Sequence, residues 1–217
     1  MYWLNIEMIP WSRMNPFNDA GIKRGIPKSM WKDWDIEFPG DLYSLWGNIH
    51  PLDPRFEEEH RGKQYLATCC VAAFMTEVCN LSAWTSSLLD GIVSGGDKYH
   101  AKTYEKVGVI FGFVYNTYPD RFNLSKALEY FFESNRLGIL VSPTKNLSFG
   151  RIGPSYFMFD CQSYGAPIFS PGQGASYILK CESLNRLIYC ITVTLNLRRH
   201  GQQFHLYNLA VKATEAK

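Results

Sequence analysis

The chain has 217 residues, 46% hydrophobic and 15% aromatic, enough to bury a sizeable core as one domain. Its net charge is +2, its charged fraction is 19%, and no Lys/Arg run exceeds Arg198-Arg199, so the sequence shows neither an electrostatic nucleic-acid footprint nor a polybasic membrane patch, and no direct nucleic-acid partner is expected. No apolar run approaches the roughly 18 residues of a membrane span, and Glu7 and Pro10 break the N-terminal segment, so the protein is expected to be intracellular, cytoplasmic or nuclear, with no membrane partner.

Residues 1–47 read as an irregular arm. They hold Trp3, Trp11, Trp31, Trp34 and Trp46, interrupted by Pro10, Pro16, Pro27 and Pro39. Tryptophans at this density must bury somewhere, either in cis or on a partner, and Trp3, Trp11, Trp31 and Trp34 are the candidate interaction residues. The main domain is placed at 48–217. Glu57-Glu58-Glu59 reads as a solvated turn before a polar, glycine-containing loop, His60 to Gln64, which runs into an apolar helix.

That helix is predicted from Leu66 to about Leu81, because Leu66, Cys69, Cys70, Ala73, Phe74 and Val78 recur at helical spacing. A second is expected to open at Ser82 and close at Gly95-Gly96, and a third, capped by Asp97, to run from Lys98 to Lys106. Another, capped by Asn123 or Ser125, spans Lys126 to Ser134. The period then becomes that of strands, at 137–141, 146–152, 155–159 and 175–181. Leu184 to Leu197 carries both patterns and is assigned as helix, and Gln203 to Lys212 as a last strand. Helices followed by a mostly antiparallel sheet make an α+β order.

The six cysteines, Cys69, Cys70, Cys79, Cys161, Cys181 and Cys190, lie in apolar segments without paired ligand spacing. They read as reduced core thiols, and no metal or cofactor is expected.

Three segments carry a resemblance to a known family, over about residues 48–213. The first runs from Asn48-Ile49-His50-Pro51-Leu52-Asp53-Pro54-Arg55-Phe56 into Arg61-Gly62-Lys63-Gln64-Tyr65; the second is Leu88 to Tyr99. The third is Tyr156-Phe157-Met158-Phe159-Asp160-Cys161-Gln162-Ser163 followed by Gly174 to Leu179. Together they resemble the herpesvirus tegument deubiquitinase family of papain-like cysteine peptidases, and the resemblance implies a papain-like fold. It also implies that the chemistry is lost: Tyr65 stands at the position of the nucleophilic cysteine, Gln162 at that of the general-base histidine, and Pro51 near that of the oxyanion-stabilising glutamine, while Asp160 is kept.

A phenol cannot replace a thiolate, glutamine does not titrate near neutrality, and proline donates no hydrogen bond. His50, His60, His100, His200 and His205 are scattered, and none occupies the strand position beside Asp160. Cys161 neighbours Asp160, but strand alternation turns it to the opposite face. The expected function is therefore a non-catalytic pseudo-deubiquitinase serving as a protein-interaction or scaffold subunit. The alternative is a non-catalytic binder of ubiquitin or a ubiquitin-like protein, and a third reading is an active hydrolase with a relocated thiol at Cys69, Cys70 or Cys161. Tyr65 is expected at the N-terminal end of a buried helix, facing Gln162 and Asp160 across a narrowed cleft.

Overall fold

A computed structural model describes Trp11, Gly25 and residues 27–31, 33–106, 123–164, Phe169, 172–195 and 204–209. Among these residues seven strands form one antiparallel sheet: β1 (Asp35–Phe38), β2 (Leu42–Trp46), β3 (Leu137–Val141), β4 (Asn146–Ile152), β5 (Ser155–Tyr164), β6 (Gly174–Cys181) and β7 (His205–Leu209). Their spatial order is β1-β2-β6-β5-β4-β3-β7. Side-chain alternation divides the sheet's residues between two cores. Leu45, Ile139, Phe157, Phe159, Cys161 and Ile178 face α1 (Tyr65–Val78) and α2 (Ser86–Lys106). Leu140, Phe149, Met158, Tyr177 and Leu179 face α3 (Leu124–Ser134) and α4 (Leu184–Leu195). Apolar side chains on both faces explain why β5 and β6 read as nearly continuous hydrophobic runs in an antiparallel sheet.

The arm does not end where the sequence placed its boundary. Leu42 to Trp46 pairs along its whole length with Cys181 to Tyr177, so β2 is an interior strand of the sheet. Pro39 and Gly40, the latter at φ +74°, form the turn that joins β1 to β2, a conformation glycine accepts without strain. Trp34 is fully buried against α1 and α2, and Trp11 is fully buried against α3 and α4. Neither offers area to a partner in this chain, which corrects their assignment as interaction residues. Trp31 packs edge-on against Trp34 at 5.7 Å, and Lys180 Nζ sits 5.1 Å above its ring. Trp3 lies outside the described residues.

The two helices expected on either side of Gly95-Gly96 are one. α2 continues through both glycines to Lys106, so Asp97 lies inside it and caps nothing. Gly96 meets a packing requirement: a Cβ there would lie 2.2 Å from Thr68 Oγ1 and 2.6 Å from Thr68 Cα. At this crossing the backbones of α1 and α2 approach too closely for a side chain. Thr85 accepts from the Leu88 amide and Asp33 from the Ser86 amide, so α2 starts later than expected. Asn123 caps α3 by accepting from Lys126 N, and α4 and β7 lie within their expected spans.

Candidate functional site

The site is assembled from the loop after β2, the first turn of α1, the β3–β4 hairpin and the end of β5. The loop is held by Asp90 of α2. Its Oδ1 accepts from Asn48 N at 2.6 Å and Ile49 N at 3.2 Å, and its Oδ2 accepts from Asn48 Nδ2 at 3.0 Å. Gly47 must lack a side chain here, because a Cβ would stand 2.8 Å from both Asp90 Oδ1 and Ser176 Oγ. Farther along, the Pro51 carbonyl accepts from Gly62 N at 3.1 Å and Gln64 Nε2 at 2.9 Å, which ties the loop to the start of α1. Gly62 makes that reversal at φ +73°.

Tyr65 is the first residue of α1, as expected, and its side chain is half-buried. The residue that the loop presents to it is His50 rather than Pro51. The two rings meet edge-on with centroids 6.1 Å apart, and His50 is only 2% exposed. Its Nδ1 accepts from Leu52 N at 3.0 Å, which leaves the proton on Nε2. Burial lowers the His50 pKa to about 4, outweighing the negative charge of Asp160 and hydrogen bonding to the Gln162 backbone, which act the other way. The imidazole is therefore neutral at neutral pH, and it lies within reach of both Tyr65 and the β5 strand.

Asp160 is fully buried and anchored by three donors. Lys145 Nζ lies 2.5 Å from its Oδ2, Gln162 N donates to its Oδ1 at 2.6 Å, and Ser163 Oγ donates to Oδ2 at 3.3 Å. The Gln162 side chain turns away from the carboxylate, its Oε1 accepting from Asn146 N at 2.5 Å. Asp160 thus bonds the main chain of Gln162, and its counter-charge is Lys145, the last residue before β4.

The thiols lie elsewhere. Cys69 and Cys161 are fully buried in the core under α1, and Cys161 Sγ is 3.8 Å from the Tyr65 carbonyl. The Cys69 thiol is held well above the usual thiol range, first by its hydrogen bond to Cys161 and then by burial, and burial pushes Cys70 up to about 12. Both effects keep the proton on sulfur and suppress the thiolate that nucleophilic attack needs.

The structure brings Tyr65, Asp160 and Gln162 into one neighbourhood, and adds His50, which the sequence reading named among the scattered histidines and set aside, and Lys145, which it missed. His50 adjoins Pro51 in the matched loop, so a one-residue shift of the alignment places it at the site. Lys145 carries no local signal, since it is the β3–β4 pairing with β5 that sets it beside Asp160. Next to His50 a cavity of about 360 Å³ opens between the loop, with Asn48 and Asp53, and the β5–β6 connection, with Phe169 and Gln173.

No protein-family model matches the sequence, and no curated protein matches it. Among solved structures, one similar to this chain is the ubiquitin-specific protease encoded by a murine cytomegalovirus tegument protein, in complex with a ubiquitin-based suicide substrate. The two superpose with a TM-score of 0.60 at 10% sequence identity, over 80% of this chain and 89% of the protease. Among the described residues no helix is long and apolar enough to cross a membrane. With its helix-covered antiparallel sheet and the likeness to the viral enzyme, the chain has the papain-like ubiquitin-protease fold.

Proposed function

We propose that this protein is a non-catalytic, papain-like protein-interaction module, a scaffold subunit built on a deubiquitinase fold. The observation that carries the reading is the state of Asp160. In a thiol triad the carboxylate orients an imidazole that shuttles the proton. Here it is neutralised by Lys145, Gln162 gives its side-chain oxygen to the Asn146 amide, and the helix start offers a phenol. His50 supplies an imidazole, but a pKa of about 4 makes it a weak base, and no thiolate lies before it.

A second reading, a non-catalytic binder of ubiquitin or a ubiquitin-like protein, is favoured by the ubiquitin-based substrate bound to the viral neighbour. Activity and binding are tested separately. A ubiquitin-tail thiol probe is expected to leave every cysteine unlabelled, and labelling abolished by Cys69→Ser, Cys70→Ser or Cys161→Ser would sink the non-catalytic reading. Ubiquitin titration followed by NMR then distinguishes the scaffold from the binder, since saturable shifts on the cleft side favour the binder. The Tyr65→Cys, Gln162→His double variant is expected to stay inert, because Lys145 still engages Asp160. Robust ubiquitin cleavage by it would mean that the groove and oxyanion site are intact, and would favour the ubiquitin binder.

A further inference from the structure

One pair of thiols plays no part in the cleft. Cys69, Cys79 and Cys161 each direct the thiol to a backbone carbonyl, that of Asn146, Asn80 and Tyr65 respectively. Cys181 directs its thiol to another sulfur, Cys190 Sγ, at 3.8 Å. Cys181 is the last residue of β6, fixed by pairing with Leu42 on one side and Tyr156 on the other, and Cys190 lies in α4. Both are fully buried in the core between the sheet and α3 and α4, on the opposite face from α1. The start of α4 is anchored over this strand end, because Ser183 Oγ accepts from Arg186 N at 3.2 Å and Arg186 Nε donates to Asp41 Oδ2 at 2.7 Å.

A disulfide holds its sulfurs about 2.05 Å apart. From 3.8 Å each sulfur has to move by about 1 Å, a displacement on the scale of a side-chain rotation, and the two cysteines are nine positions apart, so the bridge closes a short loop. Burial keeps large oxidants out. It also holds the Cys190 thiol well above the usual thiol range, with the hydrogen bond to Cys181 adding to the effect. The closed core is therefore slow to oxidise, and reaction proceeds through local opening of α4, which admits an oxidant no larger than a few atoms.

We propose that Cys181 and Cys190 form a redox latch, open as two thiols under reducing conditions and closed by hydrogen peroxide to a disulfide that fastens α4 to the end of β6. The sulfur of one cysteine attacks a peroxide oxygen, the O–O bond breaks, and the thiol proton leaves with the departing oxygen as water, giving a sulfenic acid. The other sulfur displaces that hydroxyl group, forming the S–S bond and releasing a second water. Two thiols lose two electrons in all, and one peroxide is reduced to two waters. The latch is independent of the catalytic state of the cleft.

The test exposes the folded full chain to hydrogen peroxide, quenches with catalase, and blocks the remaining thiols with N-ethylmaleimide in denaturant. Trypsin cuts after Lys180, Arg186 and Arg198, so Cys181 and Cys190 fall in separate peptides, 181–186 and 187–198. These should appear joined, lighter than their sum by two hydrogens, and the joined chain should melt roughly 5–10 °C higher than the reduced one. Dithiothreitol should reverse both changes, which separates the latch from methionine oxidation. Cys190→Ala should lose the joined peptides and the thermal shift, while Cys79→Ala keeps both. The mapping of the wild-type chain decides the proposal even if Cys190→Ala fails to fold. The proposal is overturned if both cysteines carry N-ethylmaleimide after peroxide, if either is joined to a different cysteine, or if the joined chain melts no higher than the reduced one.

Discussion

Replacing Lys145 by methionine keeps the aliphatic stem and removes the only side-chain cation within bonding distance of Asp160 among the described residues. Breaking a buried ion pair from one side costs about 3–5 kcal/mol, because the surviving charge stays in the low-dielectric interior. Two features reduce that figure. The Lys145 side chain is 19% exposed, and Gln162 N and Ser163 Oγ continue to donate to the carboxylate. The expected loss is about 2–3 kcal/mol, equivalent to a fall in melting temperature of roughly 4–12 °C for a chain of this size. Urea unfolding of the wild-type chain, Lys145→Met, Asp160→Asn and the double variant measures both the loss and the coupling. The coupling should be about 1.5 kcal/mol or more, with an unchanged urea slope. A loss under about 0.5 kcal/mol with negligible coupling would place the pair in the class of solvated surface bridges. It would also remove the electrostatic basis for reading Asp160 as disarmed.

Burial of neutral His50 should make stability depend on pH. Its folded pKa of about 4 lies below the unfolded value of 6.5, so the unfolded chain takes up the proton first and stability falls as pH drops from about 6.5 to 4. The full effect is about 3 kcal/mol, and urea melts at pH 7, 6 and 5 should be flatter for His50→Gln than for wild type; equal slopes would refute the assignment. Gly96→Ala should destabilise by about 1–3 kcal/mol despite alanine's better helix propensity, because the backbone of Thr68 blocks the new methyl group. Gly91→Ala on the same helix, with nothing within 4 Å of its Cβ, should stabilise by up to about 1 kcal/mol. Thermal melts of the pair check this, and similar effects at both sites would contradict the close crossing. Trp34→Ala should cost about 3–5 kcal/mol of stability in chemical denaturation, and an unchanged midpoint would return Trp34 to the partner-binding surface.

What the sequence determined by itself lies in local patterns. Helical spacing from Leu66 placed α1, Asn123 and Ser125 were the candidate caps of α3, of which Asn123 is the one used, and the apolar runs at 137–141, 146–152 and 175–181 located β3, β4 and β6, because propensity, capping and side-chain period act over a few residues. The matched motifs put Tyr65 at a helix start near Asp160 and Gln162. What only the tertiary structure decided depends on partners distant in the chain. β2 is a strand because β6, more than a hundred residues later, supplies its hydrogen bonds, and Trp34 and Trp11 are core because helices later in the chain, α1 and α2 for the first and α3 and α4 for the second, cover them. Gly95 and Gly96 look like a helix end in isolation, yet the crossing with Thr68 makes glycine necessary at position 96 inside a continuous helix. Lys145 meets Asp160 through strand pairing, and His60 meets His100 through the packing of a turn against α2. Such charge and ring pairings have no period to read, because they arise where the folded backbone brings remote side chains together.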